Sequence, residues 1–431
     1  MNKQILKLAL PNIITNITVP LLGLVDIAIV GHIGNEGHIG AIAIGTMIFN
    51  LIYWNFGFLR MGTSGMTAQA YGANDMDEAM RIMVRGLAIA FSAATLLILL
   101  QYPIARLCEI SVDCSEEAMR LALQYFYIRI WAAPATLGLY VLKGWFIGMQ
   151  NSKTPMWIAI ILNIINIAFS LLFVIVWKMD IQGVALGTVL AQYSGFIMAV
   201  VFWFRKYGYL RTRINLRESL HLPEMKQFFK VNGDIFLRTL CLVAVFTFIP
   251  AISAHMGDSI LAANTLLMQL FTIFSYIMDG FAYAGESLVG RYIGAKDQKN
   301  LRLSVKLLLR WGMIITLIFT VLYFFFGEYI LMVLTNKRAV IDEAMKYITW
   351  TLLVPITGFS AFLFDGIYIG ATASKSMRNI MFVATAVFFI AYYALAPMLG
   401  NDGLWIAFLF FLTLRGGLMW LWNGRIIAVK E

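Results

Sequence analysis

Charged side chains are scarce in this chain, 13% of 431 residues, about half the share usual in soluble proteins. Too few polar groups remain to cover a soluble surface, so a water-exposed globular fold is excluded. Cysteine is scarcer still: Cys108, Cys114 and Cys241 form no CxxC and no zinc spacing, which excludes a disulfide-dense or zinc-held fold. Cys108 and Cys114 flank one expected outer loop, so a disulfide there stays open. The histidines His32, His38, His221 and His255 all fall at expected helix ends or loops, and none is read as a ligand. HExxH, GxSxG, GxxxxGK[ST] and GxGxxG in a suitable context are missing. No catalytic residue, metal or cofactor is therefore expected. A soluble nucleotide-binding domain is also missing, so an energy source other than ATP, an ion gradient, is expected unless a separate chain supplies it.

Apolar residues are abundant: AVILMFWYC make up 61% of the chain and the mean hydropathy is +0.79. A bilayer crossing takes ~20 residues, and apolar runs between polar breaks give spans near 8–32, 39–66, 80–105, 119–146, 155–177, 182–204, 228–254, 259–288, 303–325, 341–369, 377–398 and 403–424. The first run follows Lys3 and Lys7 but is long and holds Pro11, Pro20 and Asp26, so it reads as a spanning helix and not a cleaved signal. The expected fold is all-α and integral to the membrane, with twelve spans.

The net charge of +10 would suit nucleic acid if it formed a basic face on a soluble domain. It does not: the basic residues punctuate apolar runs and gather on alternate loops. The segments shared with the amino terminus hold most of them, including Arg205, Lys206, Arg211, Arg213, Arg217, Lys226 and Lys230. The intervening loops hold only Arg106, Arg120, Lys178, Lys337, Arg338 and Lys346. The positive-inside rule then puts both termini in the cytoplasm. The lipid bilayer is the expected partner and nucleic acid is not.

The longest hydrophilic stretch, 205–227, reads as a cytoplasmic linker between an amino-terminal six-helix lobe (1–204) and a carboxyl-terminal one (228–431). A single offset of 222 residues places GAND (Gly72 to Asp75) on GAKD (Gly294 to Asp297) and GWFIGMQNSK (Gly144 to Lys153) on GIYIGATASK (Gly366 to Lys375). Each unit has an even number of spans, so the copies enter the membrane the same way round and a pseudo-twofold along its normal relates them, as in rocking transporters.

An ionisable group in hydrocarbon costs roughly 2.5–3.5 kcal/mol on insertion scales, so each needs a cavity, a partner or a role. Asp26, on the first span with no basic residue within a turn, is the sharpest case. Burial raises a carboxyl pKa towards the range in which a proton carrier loads and releases; the alternative is a protonated acid acting as structural glue. Asn163, Asn166 and Ser170 on span five, Thr188 on span six and Tyr125 on span four fall at similar depth. Single polar residues of this kind are commonly packing elements; their convergence with Asp26 favours a proton or cation coupling site. Asp234, Arg238, Asp279, Glu286 and Asp365 form a second, inner polar cluster, either an ion-pair closure or a coupling element. Their repeat partners are Asn12, Asn16, Gly57, Ser64 and Lys143, none acidic. Arg415, Arg129 and Arg60 are candidate counter-charges.

The segments LALPNIITNITVPLLGLVDIAIVGHIG, GTSGMTAQAYGAND, GWFIGMQNSKTPM, AANTLLMQLFTIFSYIMDGFAYAGES, RYIGAKD and FDGIYIGATASKSMRN resemble, in order and over nearly the whole chain, the multidrug and toxin extrusion (MATE) family, in its DinF-like branch. The resemblance implies two six-helix lobes forming a V and efflux of amphiphilic, often cationic aromatic compounds in exchange for protons or sodium ions. It also implies that Asp26 matches the first-helix acid of cation coupling, Asn166 the fifth-helix asparagine, Thr188 the sixth-helix threonine and Tyr125 the fourth-helix tyrosine. Ser170 departs from the pattern, standing where many relatives carry a second acid. Hard cations prefer several oxygen ligands and charge, so that departure favours H+ over Na+. A monomer in the cell (inner) membrane is expected. The alternatives are a flippase for a lipid-linked precursor, which would need a cationic cleft for pyrophosphate, and an integral membrane enzyme, for which no nucleophile or metal set is recognisable.

Overall fold

The computed structural model describes residues 1–31, 36–112 and 114–426, apart from the side chains at 19–28, 30, 31, 36, 37, 39, 425 and 426. Asp26 and Pro20 fall within those exceptions, so their side chains lie outside the described residues. All regular structure among the described residues is helical.

The chain begins with α1 (Asn2–Gly31), over the first expected span. The second span is a broken helix, α2 (Glu36–Asn55) and α3 (Phe58–Gly72). α4 (Met76–Leu99) is the third, trailed by a short α5 (Gln101–Ser111). α6 (Glu116–Arg129), a 3-10 turn at Ile130–Ala132 and α7 (Ala133–Gly148) make the fourth. α8 (Lys153–Leu171), ending in a π turn at Leu172–Val176, and α9 (Ile181–Tyr207) are the fifth and sixth. A 3-10 turn (Gly208–Arg213) and the one-turn α10 (Leu216–Ser219) precede six long helices. These are α11 (Leu222–Met256), α12 (Asp258–Gly294), α13 (Gln298–Leu334), α14 (Arg338–Gly370), α15 (Ser374–Leu399) and α16 (Asn401–Ile426).

Among the described residues, 11 helical segments are long and apolar enough to cross a membrane. Val333, Leu421, Phe324 and Leu317 stand largely exposed on them, as lipid-facing side chains must. The third span ends earlier than its hydropathy suggests. Pro103 has no N–H for the carbonyl of Leu99, and the helix stops there and restarts at Gln101. The spans of the second half are longer than expected, because their polar end turns stay helical beyond the apolar stretch.

Two compact units emerge, Ile14–Phe229 and Met1–Ile13 with Lys230–Glu431, so α1 is divided between them. Its first turns pack within the second unit: Gly280 of α12 leaves room for Ile13, Tyr292 Oη donates to Gln4 Oε1 (3.4 Å) and Trp311 Nε1 to Asn2 Oδ1 (3.3 Å).

Each unit carries the repeat in matching backbone detail. Asn74 and Lys296 adopt positive φ (57° and 53°), as do Gln150 and Thr372 (61° and 51°). Asp75 accepts the N–H of Glu78 at 2.9 Å and so caps α4; Asp297 does the same for α13 through Asn300 at 3.0 Å. The backbone N–H and the side-chain amide of Asn300 hold the Asp297 carboxyl below the ordinary carboxylate range. Deeper inside, a β-carbon on Gly144 would strike the Arg60 carbonyl oxygen, and one on Gly366 the Ala282 carbonyl oxygen. One turn later on the same helices, Gly148 faces the carbonyl of Ser64 and Gly370 that of Glu286, at 2.8 and 2.6 Å from the missing β-carbon. The small residues thus let α3 and α7, and α12 and α14, meet backbone to backbone.

The expected linker is folded within the amino-terminal unit. Arg85, buried on α4, donates to the Ser219 carbonyl (2.8 Å) and to Glu78 (2.7 Å), and pairs with Glu224. Arg81 reaches Glu218 (2.9 Å) and Arg213 reaches Asp77 (3.1 Å). Leu210 and Phe228 are buried against the same end.

Gly366→Ala should lower stability by about 1–3 kcal/mol, because its methyl group meets a backbone atom that cannot rotate away. Gly417→Ala, where nothing lies within 4 Å, should be neutral or slightly stabilising. Thermal unfolding of the two detergent-purified variants distinguishes them; equal melting temperatures would remove the glycine contact from the account.

Candidate functional sites

In the amino-terminal unit, α8 and α9 approach closely because Gly187 has no side chain: a β-carbon there would lie 2.7 Å from Ser170 Oγ. Beside this contact Asn166 Nδ2 donates to Thr188 Oγ1 (3.0 Å), and Thr188 Oγ1 donates to the Val184 carbonyl (3.1 Å). All three expected residues, Asn166, Ser170 and Thr188, are buried together. Asn166 Oδ1 and Ser170 Oγ have no hydrogen-bond partner among the described residues. An orphan polar atom in a buried place costs roughly 1–3 kcal/mol, so the pair marks a spot where polarity is retained at the expense of stability.

Asn163 is on α8 too but serves another helix: its Nδ2 donates to the Thr18 carbonyl of α1 (2.9 Å), in the turn before Pro20. The two asparagines therefore tie α8 to α1 and to α9 respectively. Tyr125 is fully buried on α6, where its hydroxyl accepts from Arg129 Nη1 (2.6 Å) and its ring fills the space left by Gly45 of α2. Its ring packs edge-on against Phe49. Asp26 shares α1 with Thr18, and its side chain is outside the described residues.

Sequence reasoning missed the residues around Tyr125. The Arg129 guanidinium lies over the Phe49 ring at 4.7 Å, and Tyr53, Thr136 and Tyr140 lie near it. Arg129 thus belongs to this aromatic cluster. The signal available was the rarity of a basic residue midway along an apolar run.

In the carboxyl-terminal unit the second polar cluster separates into two groups. Asp365 Oδ2 accepts from both Arg238 Nη2 and Arg415 Nη2, and all three side chains are buried. Arg415 also lies over the Phe362 ring at 5.6 Å, and Asp279 is within electrostatic reach of Arg238. Asp234, one turn from Arg238, pairs instead with Arg378 (2.5 Å) and accepts from Ser374 Oγ (3.0 Å) at the start of α15. Glu286 is buried on α12 beneath Gly370. The candidate counter-charge Arg415 pairs with Asp365. Cys108, Cys114 and Cys241 are free thiols.

Two guanidinium groups on one carboxylate make Asp365 the keystone of its group. Asp365→Asn should cost about 3–5 kcal/mol by leaving buried positive charges uncompensated, and Asp365→Asn with Arg415→Met should recover part of it. Melting temperatures of wild type, single and double variants test this; a single variant as stable as wild type would mean that the carboxylate charge holds nothing together.

The MatE family model matches residues 11–172 and again 235–394, once in each half. DNA damage-inducible protein F of Escherichia coli (strain K12) is 38% identical over 416 residues, covering 96% of this chain and 90% of that protein. A probable multidrug resistance protein NorM of Acinetobacter baylyi is 21% identical over 419 residues, 94% of this chain and 91% of its own. Among solved structures, a Vibrio cholerae MATE transporter in a bent form superposes with a TM-score of 0.86 at 18% identity, covering 99% of this chain and 96% of that one. With a twofold family match over most of its length and a 38% relative along nearly all of it, the chain belongs to the MatE family, whose members are membrane transporters and not enzymes.

Proposed function

We propose that the protein is a secondary antiporter that exports amphiphilic aromatic compounds, often bearing a basic nitrogen, in exchange for protons by alternating access. The two six-helix lobes joined by the linker 205–227 are its moving bodies. Both termini and the linker face the cytoplasm, and the protein works as a monomer in the cell (inner) membrane. Asp26 carries the proton, with Asn163, Asn166, Ser170, Thr188 and Tyr125 as its polar surroundings. The inner cluster of Asp234, Arg238, Asp279, Glu286 and Asp365 acts as the ion-paired framework of the carboxyl-terminal lobe.

The observation that carries this reading is the buried, unsatisfied pair of oxygens on Asn166 and Ser170, in the unit that holds most of α1. They are neutral, and Ser170 Oγ lies against Gly187, where a β-carbon would come within 2.7 Å of it. Neutral oxygens can hydrogen-bond a carboxyl group in either protonation state, whereas a desolvated sodium ion wants several oxygen ligands with balancing charge. A single acid among hydroxyl and amide partners favours the proton. Antiport follows if a protonated Asp26 holds a basic substrate less well than an ionised one: the coupling free energy is reciprocal, so substrate binding also expels the proton.

In proteoliposomes with proton and sodium gradients imposed separately, wild type should exchange a cationic aromatic dye against the proton gradient alone. Asp26→Asn should fall to the leak rate of empty liposomes. Exchange by Asp26→Asn at the wild-type rate, or stimulation of wild type by sodium alone, would refute the reading.

A further inference from the structure

Between the end of α9 and the start of α11 the chain sorts its charges by side. Residues 205–230 carry seven basic side chains and two acidic ones. Both acids turn towards α4: Glu218 pairs with Arg81 (2.9 Å), and Glu224 with the buried Arg85. Arg213 is answered by Asp77 (3.1 Å). The other six bases, Arg205, Lys206, Arg211, Arg217, Lys226 and Lys230, are exposed and make no ion pair among the described residues. The loops that hold Arg106 and Arg338 do the reverse. There Glu109 meets Arg106 (2.6 Å), and Glu328 (2.7 Å) and Asp342 (3.0 Å) meet Arg338, so the charge is cancelled where it arises.

Bases alone would make an ordinary solvated face. Here large apolar side chains stand among them: Tyr209, Leu216 and Leu222 are 69%, 64% and 75% exposed, and Leu220 is exposed too. In water they forfeit the gain that burial of such side chains brings. Bases interleaved with outward leucines and an aromatic ring make the pattern of a segment lying in the headgroup layer. Its ends are fixed at that level, since α9 and α11 are each long and apolar enough to cross a membrane. Its inner side is fixed as well, with Leu210, Ser219 and Phe228 buried and the Ser219 carbonyl held by Arg85 (2.8 Å). The outward side chains are therefore presented by a folded segment and not by a loose loop.

We propose that the outward face of 205–230 is a binding site for anionic phospholipids of the leaflet it faces. The six unpaired bases take the headgroup phosphates, and Tyr209, Leu216, Leu220 and Leu222 enter the acyl boundary beside them. A free phosphate or a nucleic acid would satisfy the bases but leave the leucines in water, so the apolar side chains select the lipid. Because α4 has drawn Glu218 and Glu224 inward, no carboxylate of the segment competes with the headgroups. Arg85 and Arg81 couple the lipid-bound segment to α4, which gives the leaflet's charge a hold on the amino-terminal unit. The proposal goes beyond the antiport reading and does not depend on it.

The test is amide hydrogen exchange of the full chain in nanodiscs of phosphatidylcholine, with and without phosphatidylglycerol. With phosphatidylglycerol, the amides of 208–222 should exchange at least about fivefold more slowly, the factor expected from one base seated on an anionic surface. High salt should reduce the slowing by screening the headgroups. Two variants divide the contributions. One combines Arg205→Gln, Lys206→Gln, Arg211→Gln and Arg217→Gln, and the other combines Leu216→Ser and Leu222→Ser with every charge kept. Each should lose most of the slowing, while unchanged exchange along α4 reports that the segment is still docked. Equal exchange of wild type in the two kinds of nanodisc, or slowing kept in full by either variant, would overturn the proposal. So would the same slowing produced in pure phosphatidylcholine by soluble glycerophosphoglycerol or by a DNA oligonucleotide, which would make the site one for free anions or nucleic acid.

Discussion

An ionised side chain within hydrocarbon has to be met by something, and the internal charges of the two units are met in different ways. In the carboxyl-terminal unit, Asp365 is shared by Arg238 and Arg415, while Asp234 is held by Arg378 and Ser374. These are closed arrangements, in which removing one member strands the others. In the amino-terminal unit, Arg129 rests on a phenol and aromatic faces, an environment that stabilises a cation by about 2 kcal/mol when desolvated without supplying a negative charge. A closed ion-pair group suits a framework.

That contrast can be read as divergence because the scaffold beneath it is duplicated. The paired carbonyl contacts at Gly144 and Gly366, and at Gly148 and Gly370, put α7 and α14 at the same depth and rotation against their neighbours within each unit. Position 143 in one unit and 365 in the other are thus structurally equivalent, and they carry opposite charges. Had the helices packed through larger side chains, a difference of sign could have reflected a slipped register. With backbone against backbone, register is fixed, and the sign of the charge is left as the variable.

Much of this architecture was legible in the sequence because it depends on periodicity and on residues with unusual backbone needs. The twelve apolar runs and the offset of GAND on GAKD need only composition and spacing, and the two turns carry equivalent positive-φ residues and caps. The pairing of Asn166 with Thr188 was legible too, since both sit at one depth on adjacent helices. What escaped was partner choice among residues of one helix. Asn163 and Asn166 are close in sequence, yet a rotation of some 60° around α8 aims one at α1 and the other at α9. Asp234 and Arg238 stand one turn apart with opposite charge, the usual spacing for a pair, but each finds a better-placed partner on another helix. Depth can be read from sequence; azimuth and rotamer cannot.

The division of α1 gives the acid on it an unusual reach. Residues up to Ile13 are packed within the unit that holds α11 to α16, through Ile13 at Gly280 and the bonds of Gln4 and Asn2. From Ile14 onward the helix belongs to the other unit, where Asn163 grips the Thr18 carbonyl. Pro11 and Pro20 bracket that boundary. Each lacks an N–H and so cannot donate to the preceding turn, which lets the turns around the boundary bend more readily than the rest. A continuous helix with weakened turns transmits a tilt of its outer half as a bend and not as a rigid rotation of the whole. On the proposed reading, protonation at Asp26 need only change how this part of α1 is held against α8, whose Asn163 grips the Thr18 carbonyl two turns before the acid.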